Sequence, residues 1–188
     1  LEEAVNSAKT ITDLDDIYRP YRPKRRTRAT IAKEKGLEPL AMLISEQKSS
    51  FDPFLAAKDY INEEKQVSDE EDALAGAMDI IAETISDNAD YRKRIRMMTY
   101  KSGVLYVKAA KEEDSVYRMY YDYSEPVASV ANHRLLAINR GEKEDFLSVK
   151  LECDEEEILS YLKRELIINK SAPSAKYISA AAEDSYKR

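Results

Sequence analysis

The sequence predicts a mainly α, multi-helical fold with a helix-turn-helix-like N-terminal region and a small two-stranded antiparallel β ribbon. Three observations predict it. Only four glycines and six prolines punctuate 188 residues, too few turn signals for a β-sandwich, which needs one every few residues. Apolar residues recur at helical spacing along most of the chain. Charged residues make up 35% of the total, a load that helices carry easily because one face packs while the other stays in water.

The elements follow in order. Residues Glu2 to Lys9 read as a helix entering from upstream. Thr12 and Asp15 form a T-x-x-D start, a weak capping box, for a short helix carrying Leu14, Ile17 and Tyr18. Pro20 and Pro23 end it, since proline lacks an amide donor and disfavours a helical residue before it. The next helix starts near Thr27 or Arg28, turns Ile31 and Ala32 inward and ends at Gly36, a natural left-handed cap. Pro39 opens a third helix through Leu40, Leu43 and Ile44, and Asp52-Pro53 a fourth, with Phe54, Ala57, Tyr60 and Ile61 at helical spacing. Short helices joined by tight turns are the basis of the helix-turn-helix-like expectation.

Ser68 and Glu71 mark the start of the clearest amphipathic helix, with Leu74, Ala77, Met78, Ile81 and Ile85 on one face. Asp87 or Asn88 restarts the chain in a new helix carrying Ile95 and Met98 towards Gly103. Val104 to Ala110 and Phe146 to Glu152 are rich in strand formers and are expected to pair as the antiparallel ribbon. Between them lie a short helix at Val116 to Tyr121 and a second from Asn132 to Arg140, capped by Gly141. A further helix runs from Asp154 to Ile168, its acidic first turn complementing the helix dipole. The expected organisation is a short-helix cluster over 1–66, a helical subdomain with the ribbon over 67–170, and a linker with a cut-off helix over 171–188. Leu1 stands already inside a helical pattern and the last helix lacks a cap, so the chain is expected to be an excerpt of a longer protein.

Arithmetic excludes several chemistries. Cys153 is the single cysteine and His133 the single histidine, which rules out a disulfide within the chain and a Cys/His zinc site. The four glycines lie far apart, so no phosphate-cradling loop is present. No cofactor and no catalytic residue is expected. Acids such as Asp72 and Glu155 are too abundant for a carboxylate pair to carry information, and none has a convergent partner set. No apolar run is long enough to span a membrane and no signal-peptide pattern is present, so a cytoplasmic location is expected.

The segment from Tyr18 to Arg28 stands out. Arg19, Arg22, Lys24, Arg25, Arg26 and Arg28 place six cations in ten residues, with no acid among them and with Pro20, Tyr21 and Pro23 interleaved. Prolines hold such a stretch extended, so the charges are expected along a semi-rigid rod. A phosphate array suits that rod, a tyrosine face can stack on an unpaired base, and arginine suits bidentate phosphate contact. Arg19, Tyr21, Arg22, Lys24, Arg25, Arg26 and Arg28 are therefore the candidate nucleic-acid-binding residues. A second reading stays open beside it. Glu63 to Asp90 holds ten acids against Lys65 alone, and the basic segment can dock on that acidic stretch, within this chain or across a domain interface. The net charge of −6 favours docking. Tyr117, Tyr120 and Tyr121 share a helical face and are expected to be core, with hydroxyls at the rim. His133, beside an expected N-cap at Asn132, is taken as structural, and the acidic runs Asp69 to Asp72 and Asp154 to Glu157 as solvated first turns.

The string from Asp15 to Ala29 (DDIYRPYRPKRRTRA), continued by Ile31-Ala32 and Gly36-Leu37-Glu38-Pro39-Leu40, resembles the N-terminal region of the bacterial Tex family of transcription accessory proteins. Three further motifs follow in the same order: Ala73 to Ala77 with Asp79 to Glu83, Tyr121 to Pro126, and His133 to Glu142. The resemblance implies a large cytoplasmic parent with an N-terminal helical region, an RNase H-like domain, helix-hairpin-helix elements and a C-terminal S1 domain that binds nucleic acid. It also implies likeness to the core of a eukaryotic transcription elongation factor. This chain matches the N-terminal helical portion alone. The partners so implied are RNA or DNA bound through the parent, the transcription machinery, and an RNase H-like domain on which this portion docks. The family implies no established catalytic activity.

Overall fold

The computed structural model describes residues 1–23 and 25–188. It divides into two units: residues 1–93 with 159–188, and residues 94–158.

The first unit is helical. Helix α1 (Glu2–Ser7) leads to α2 (Ile11–Tyr18), whose N-cap is Thr10, accepting from the Asp13 amide at 3.0 Å. The cap thus lies two residues earlier than the Thr12/Asp15 reading, because Thr10 already has the extended backbone a cap requires. A 3-10 turn at Arg19–Tyr21 follows directly, with Pro20 in its first turn, where the missing amide costs nothing. The expected extended rod is therefore corrected at its start. Extended backbone begins at Arg22.

Helix α3 (Arg28–Glu34) is capped by Thr27 and closes at Gly36, whose φ of +85° suits glycine. The Leu37 amide reaches back to the Ala32 carbonyl at 3.1 Å and Gly36 to Lys33 at 2.9 Å, a Schellman ending. Helix α4 (Glu38–Ser45) starts at once, with Leu40, Ala41 and Ile44 buried. Helix α5 (Pro53–Ala57) is shorter than its spacing indicated. Pro53 and Ala57 are its buried residues and Phe54 is exposed; the 3-10 turn at Lys58–Tyr60 then breaks the 3.6-residue phase, and Ile61 is exposed.

Helix α6 (Glu70–Asp87) is the centre of this unit and packs on α3, α4, α5 and α10 (Ala175–Lys187). Its start uses Asp69 as N-cap for the Asp72 amide at 2.8 Å, while the Asp72 carboxylate accepts from the Ser68 amide at 3.2 Å. The cap lies one residue later than expected, and Asp72 holds the amide before the cap. Neighbours on several sides widen the buried face beyond one stripe: Ala73, Leu74, Ala77, Ile80, Ile81, Ala82 and Ile85 are all buried. Each large side chain so covered contributes about 1.5–3 kcal/mol. Gly76 lets α3 and α6 approach closely, since a Cβ there would overlap Leu37 Cδ1 and lie 3.3 Å from Ala32 Cβ.

Besides the packing of α10 on α6, Gln47 fastens residues 159–188 to this core. Gln47 is 4% exposed and left-handed, with φ of 50°. Its Nε2 donates to the Leu166 carbonyl (2.7 Å) at the end of α9 (Glu155–Leu166), and its Oε1 accepts from the Ile168 and Asn169 amides (3.0 and 3.2 Å). A carbonyl that the end of α9 leaves unpaired, and two amides just beyond it, are thereby satisfied from across the unit.

Helix α7 (Ala89–Ser102) begins with Asn88 accepting from the Asp90 and Tyr91 amides, each at 3.0 Å. In the second unit, β1 (Val104–Ala109) pairs antiparallel with β3 (Leu147–Glu152), Val104 opposite Glu152 and Ala109 opposite Leu147, as expected. A third strand, β2 (Asp122–Pro126), joins on the other side of β1 to give the order β2-β1-β3, so the ribbon is a three-stranded sheet. DYSEP has little strand propensity, and only the pairing to β1 makes it a strand; its proline sits at the end of an edge, where no ladder amide is needed.

Helix α8 (Asn132–Lys143) is preceded by Ala131 at the cap position, and Gly141 lies inside it instead of capping it. A Cβ at Gly141 would sit 2.6 Å from Leu147 Cδ1 and 3.1 Å from Tyr117 Cδ1, so this glycine makes room for the core. That core joins Leu105, Val107, Tyr117, Tyr120, Ile138 and Leu147. The expected helix at Val116 to Tyr121 is a 3-10 turn at Arg118–Tyr120, and its tyrosines are core as expected, with the Tyr117 hydroxyl donating to Glu144 at 2.8 Å.

Candidate nucleic-acid interface

The basic segment is held largely by carboxylates. Arg19 Nε donates to Asp87 at the end of α6 (3.1 Å), a carboxylate whose side chain is only 11% exposed. Arg22 pairs with Asp15, seven residues earlier in α2, and its guanidinium lies 5.9 Å from the Tyr18 ring centroid. Arg26 bonds Glu34 at 3.1 Å, with both side chains more than half exposed. Arg28 bonds Asp79 on α6 at 3.3 Å and, through NH2, both oxygens of Asp184 on α10 at 3.1 Å. Arg188 pairs with the same two aspartates, so two arginines and two aspartates tie α3, α6 and α10 together. Tyr21 and Arg25 are exposed, and Arg25 has no carboxylate partner among the described residues. Lys24 lies outside the described residues.

The electrostatics follow from this cluster. Burial raises the Asp184 carboxyl, but the hydrogen bonds and charges of Arg188 and Arg28 outweigh burial and hold it below the ordinary value. Asp184 in turn raises Arg28, with Asp79 adding to it. A depressed carboxyl contributes stability that is present above the unfolded pKa, about 4, and lost as pH falls through the folded value. The thermal-midpoint difference between wild type and Asp184→Asn, measured across pH, should be present near neutrality and vanish in strong acid. A difference that persists unchanged in acid would remove the ionic account.

Beside the segment, Pro20, Tyr21, Asp13, Asp16, Asp87 and Lys93 line a cleft of about 620 Å³. Its carboxylates are answered by cations: Arg92 bonds Asp16 at 2.7 Å and Lys93 lies 3.6 Å from Asp13. Among the described residues, no three His, Cys, Asp or Glu side chains are grouped to hold a metal ion, and no helix is long and apolar enough to cross a membrane.

Sequence reasoning missed a second basic stretch. Tyr91 to Ser102 carries Arg92, Lys93, Arg94, Arg96 and Lys101 with no acid. The apolar Ile95 and Met98 drew attention to the helix as a packing element, whereas no residue of α7 is fully buried. A linear charge count over 91–102 is the signal that finds it.

The structure is a mainly helical chain with a small antiparallel sheet that binds its own arginine segment onto the acidic helix α6. The chain belongs to the Tex family: the family model described as "Tex central region-like" matches residues 48–187. It is 42% identical to Protein tex of Bordetella pertussis over 82% of this chain and 20% of that protein. Transcriptional accessory protein Tex of Neisseria gonorrhoeae is 36% identical over 80% of this chain and 20% of that one. S1 RNA-binding domain-containing protein 1 of Homo sapiens is 28% identical over 80% and 16%. The chain spans about a fifth to a quarter of the length of the first curated relatives it matches.

Proposed function

We propose that this chain is a non-catalytic scaffold module of a nucleic-acid-associated transcription accessory protein, and that its basic segment acts chiefly as an internal fastener. The observation that carries this reading is Arg28, which bridges Asp79 on α6 and Asp184 on α10. Arg19 on Asp87 is the second fastening. In this reading the parent meets RNA or DNA mainly through an S1 domain outside this chain, docks an RNase H-like domain on this module, and works with the transcription machinery in the cytoplasm. The likeness to a transcriptional accessory protein of Neisseria and an S1 RNA-binding domain protein of Homo sapiens supports the nucleic-acid association.

The test is the double variant Arg19→Gln/Arg28→Gln. Both arginines are partly exposed, at 40% and 62%, so each pairing contributes no more than about 1 kcal/mol. The expected drop in thermal midpoint is about 2–6 °C for a chain of this size, with RNA affinity of the full-length parent unchanged. An unchanged midpoint with weakened RNA binding would reverse the assignment.

A second reading is favoured by the exposure of Tyr21 and Arg25 and by the mostly exposed Arg26 pair. Here Tyr21, Arg22, Lys24, Arg25 and Arg26 contact phosphates directly while Arg19 and Arg28 anchor the segment. Tyr21→Ala/Arg25→Gln/Arg26→Gln should then weaken RNA or DNA binding without moving the midpoint. Equal binding by this variant and wild type would eliminate direct contact.

A further inference from the structure

The exposed side of α7 presents a charge pattern separate from that of the basic segment. With 3.6 residues per turn, Arg96, Tyr100, Met97, Lys101 and Arg94 succeed one another around about 160° of the helix. All five are exposed, Met97 at 56% and Tyr100 at 59%. The one acid on this side is Asp90, in the first turn. Three cations thus surround one aromatic ring and one thioether on a helix, spread over about 10 Å of its axis from Arg94 to Lys101. A membrane surface would require a broad apolar face, and two apolar side chains do not make one. Two of the three cations are arginines, whose planar fork suits phosphate oxygens, and a tyrosine among cations can stack on an unpaired base.

We propose that this face of α7 is a nucleic-acid contact surface, with Arg94, Arg96 and Lys101 on backbone phosphates and Tyr100 on a base. It uses none of the residues of the basic segment, so it stands or falls separately from the fastening role. Binding here is sequence-independent and steeply salt-dependent, because released counterions drive it.

The experiment uses the full 188-residue chain. Fluorescence anisotropy would follow binding to a labelled single-stranded RNA and a duplex DNA, each about 20 nucleotides long, between about 50 and 200 mM salt. Arg94→Gln/Arg96→Gln/Lys101→Gln should reduce the slope of log K against log salt by about 2–3 and weaken binding at low salt about tenfold or more. Arg94→Lys/Arg96→Lys should retain the slope. Tyr100→Ala should weaken the single strand roughly tenfold and the duplex little. Glutamine is nearly as good a helix former as arginine, and the Lys variant separates lost charge from lost fold. The proposal is overturned if wild type binds neither nucleic acid at low salt. It is also overturned if Lys108→Gln/Lys111→Gln/Lys143→Gln, on other exposed lysines, loses as much slope as the α7 triple variant. Binding of an acidic peptide in place of both nucleic acids would equally reject it and assign the face to an acidic protein.

Discussion

Leu37→Ala should destabilise the first unit by about 2–5 kcal/mol, the range for deleting a fully enclosed leucine. Leu37 is 1% exposed, caps the start of α4 and lies against Gly76 of α6. The contact can be tested from both sides. Gly76→Ala gains helix propensity, about 1 kcal/mol, yet its Cβ would overlap Leu37 Cδ1 and crowd Ala32. Overpacking of this kind costs about 1–3 kcal/mol, so the single variant should be net destabilised. In the Leu37→Ala background the obstruction is gone, and Gly76→Ala should then stabilise. Urea unfolding of the four proteins closes the cycle, and a change of sign between backgrounds is the expected signature. Additive effects would show that the two helices do not meet at this point.

Gln47→Ala should cost about 2–4 kcal/mol, from three hydrogen bonds worth roughly 1 kcal/mol each and the desolvated groups left behind. The side chain serves one carbonyl and two amides at the end of α9, all contributed by residues more than a hundred positions away. Its φ of 50° adds a diagnostic. Gln47→Gly loses the same bonds but relieves the left-handed strain, so it should lose about 1 kcal/mol less than alanine. Hydrogen exchange supplies the local readout: the Ile168 and Asn169 amides should lose protection in both variants. Protection retained at those amides, whatever the change in midpoint, would show that Gln47 does not hold the returning segment.

Much of the helical content was legible because it rests on local rules. Gly36 ended a helix where only a left-handed residue fits, Pro39 and Pro53 opened helices in their first turns, and the pairing of β1 with β3 followed from two strand-rich stretches. Caps were legible to within one or two residues, since several neighbouring Thr, Ser and Asp side chains compete and the backbone angle decides among them. The third strand was not legible, because DYSEP is extended through its partner and not through its own preference. Gly141 read as a cap from position alone, when its role is to make space for Leu147 and Tyr117.

The candidate site divides in the same way. Composition identified the basic segment and its acidic competitor, and four ordered motifs identified the family. Whether those arginines face solvent or carboxylate depends on which helices lie beside them. Arg28 meets Asp184 across 156 positions and Arg19 meets Asp87 across 68, distances over which no periodicity in a single sequence reports. By itself the sequence determined most of the helices, several caps to within a residue or two, and the lineage, because these depend on neighbouring residues and on counts. Tertiary structure alone decided that the segment is fastened at Arg19 and Arg28 and exposed at Tyr21 and Arg25, because a charge takes its role from whichever partner the fold brings within a few ångströms.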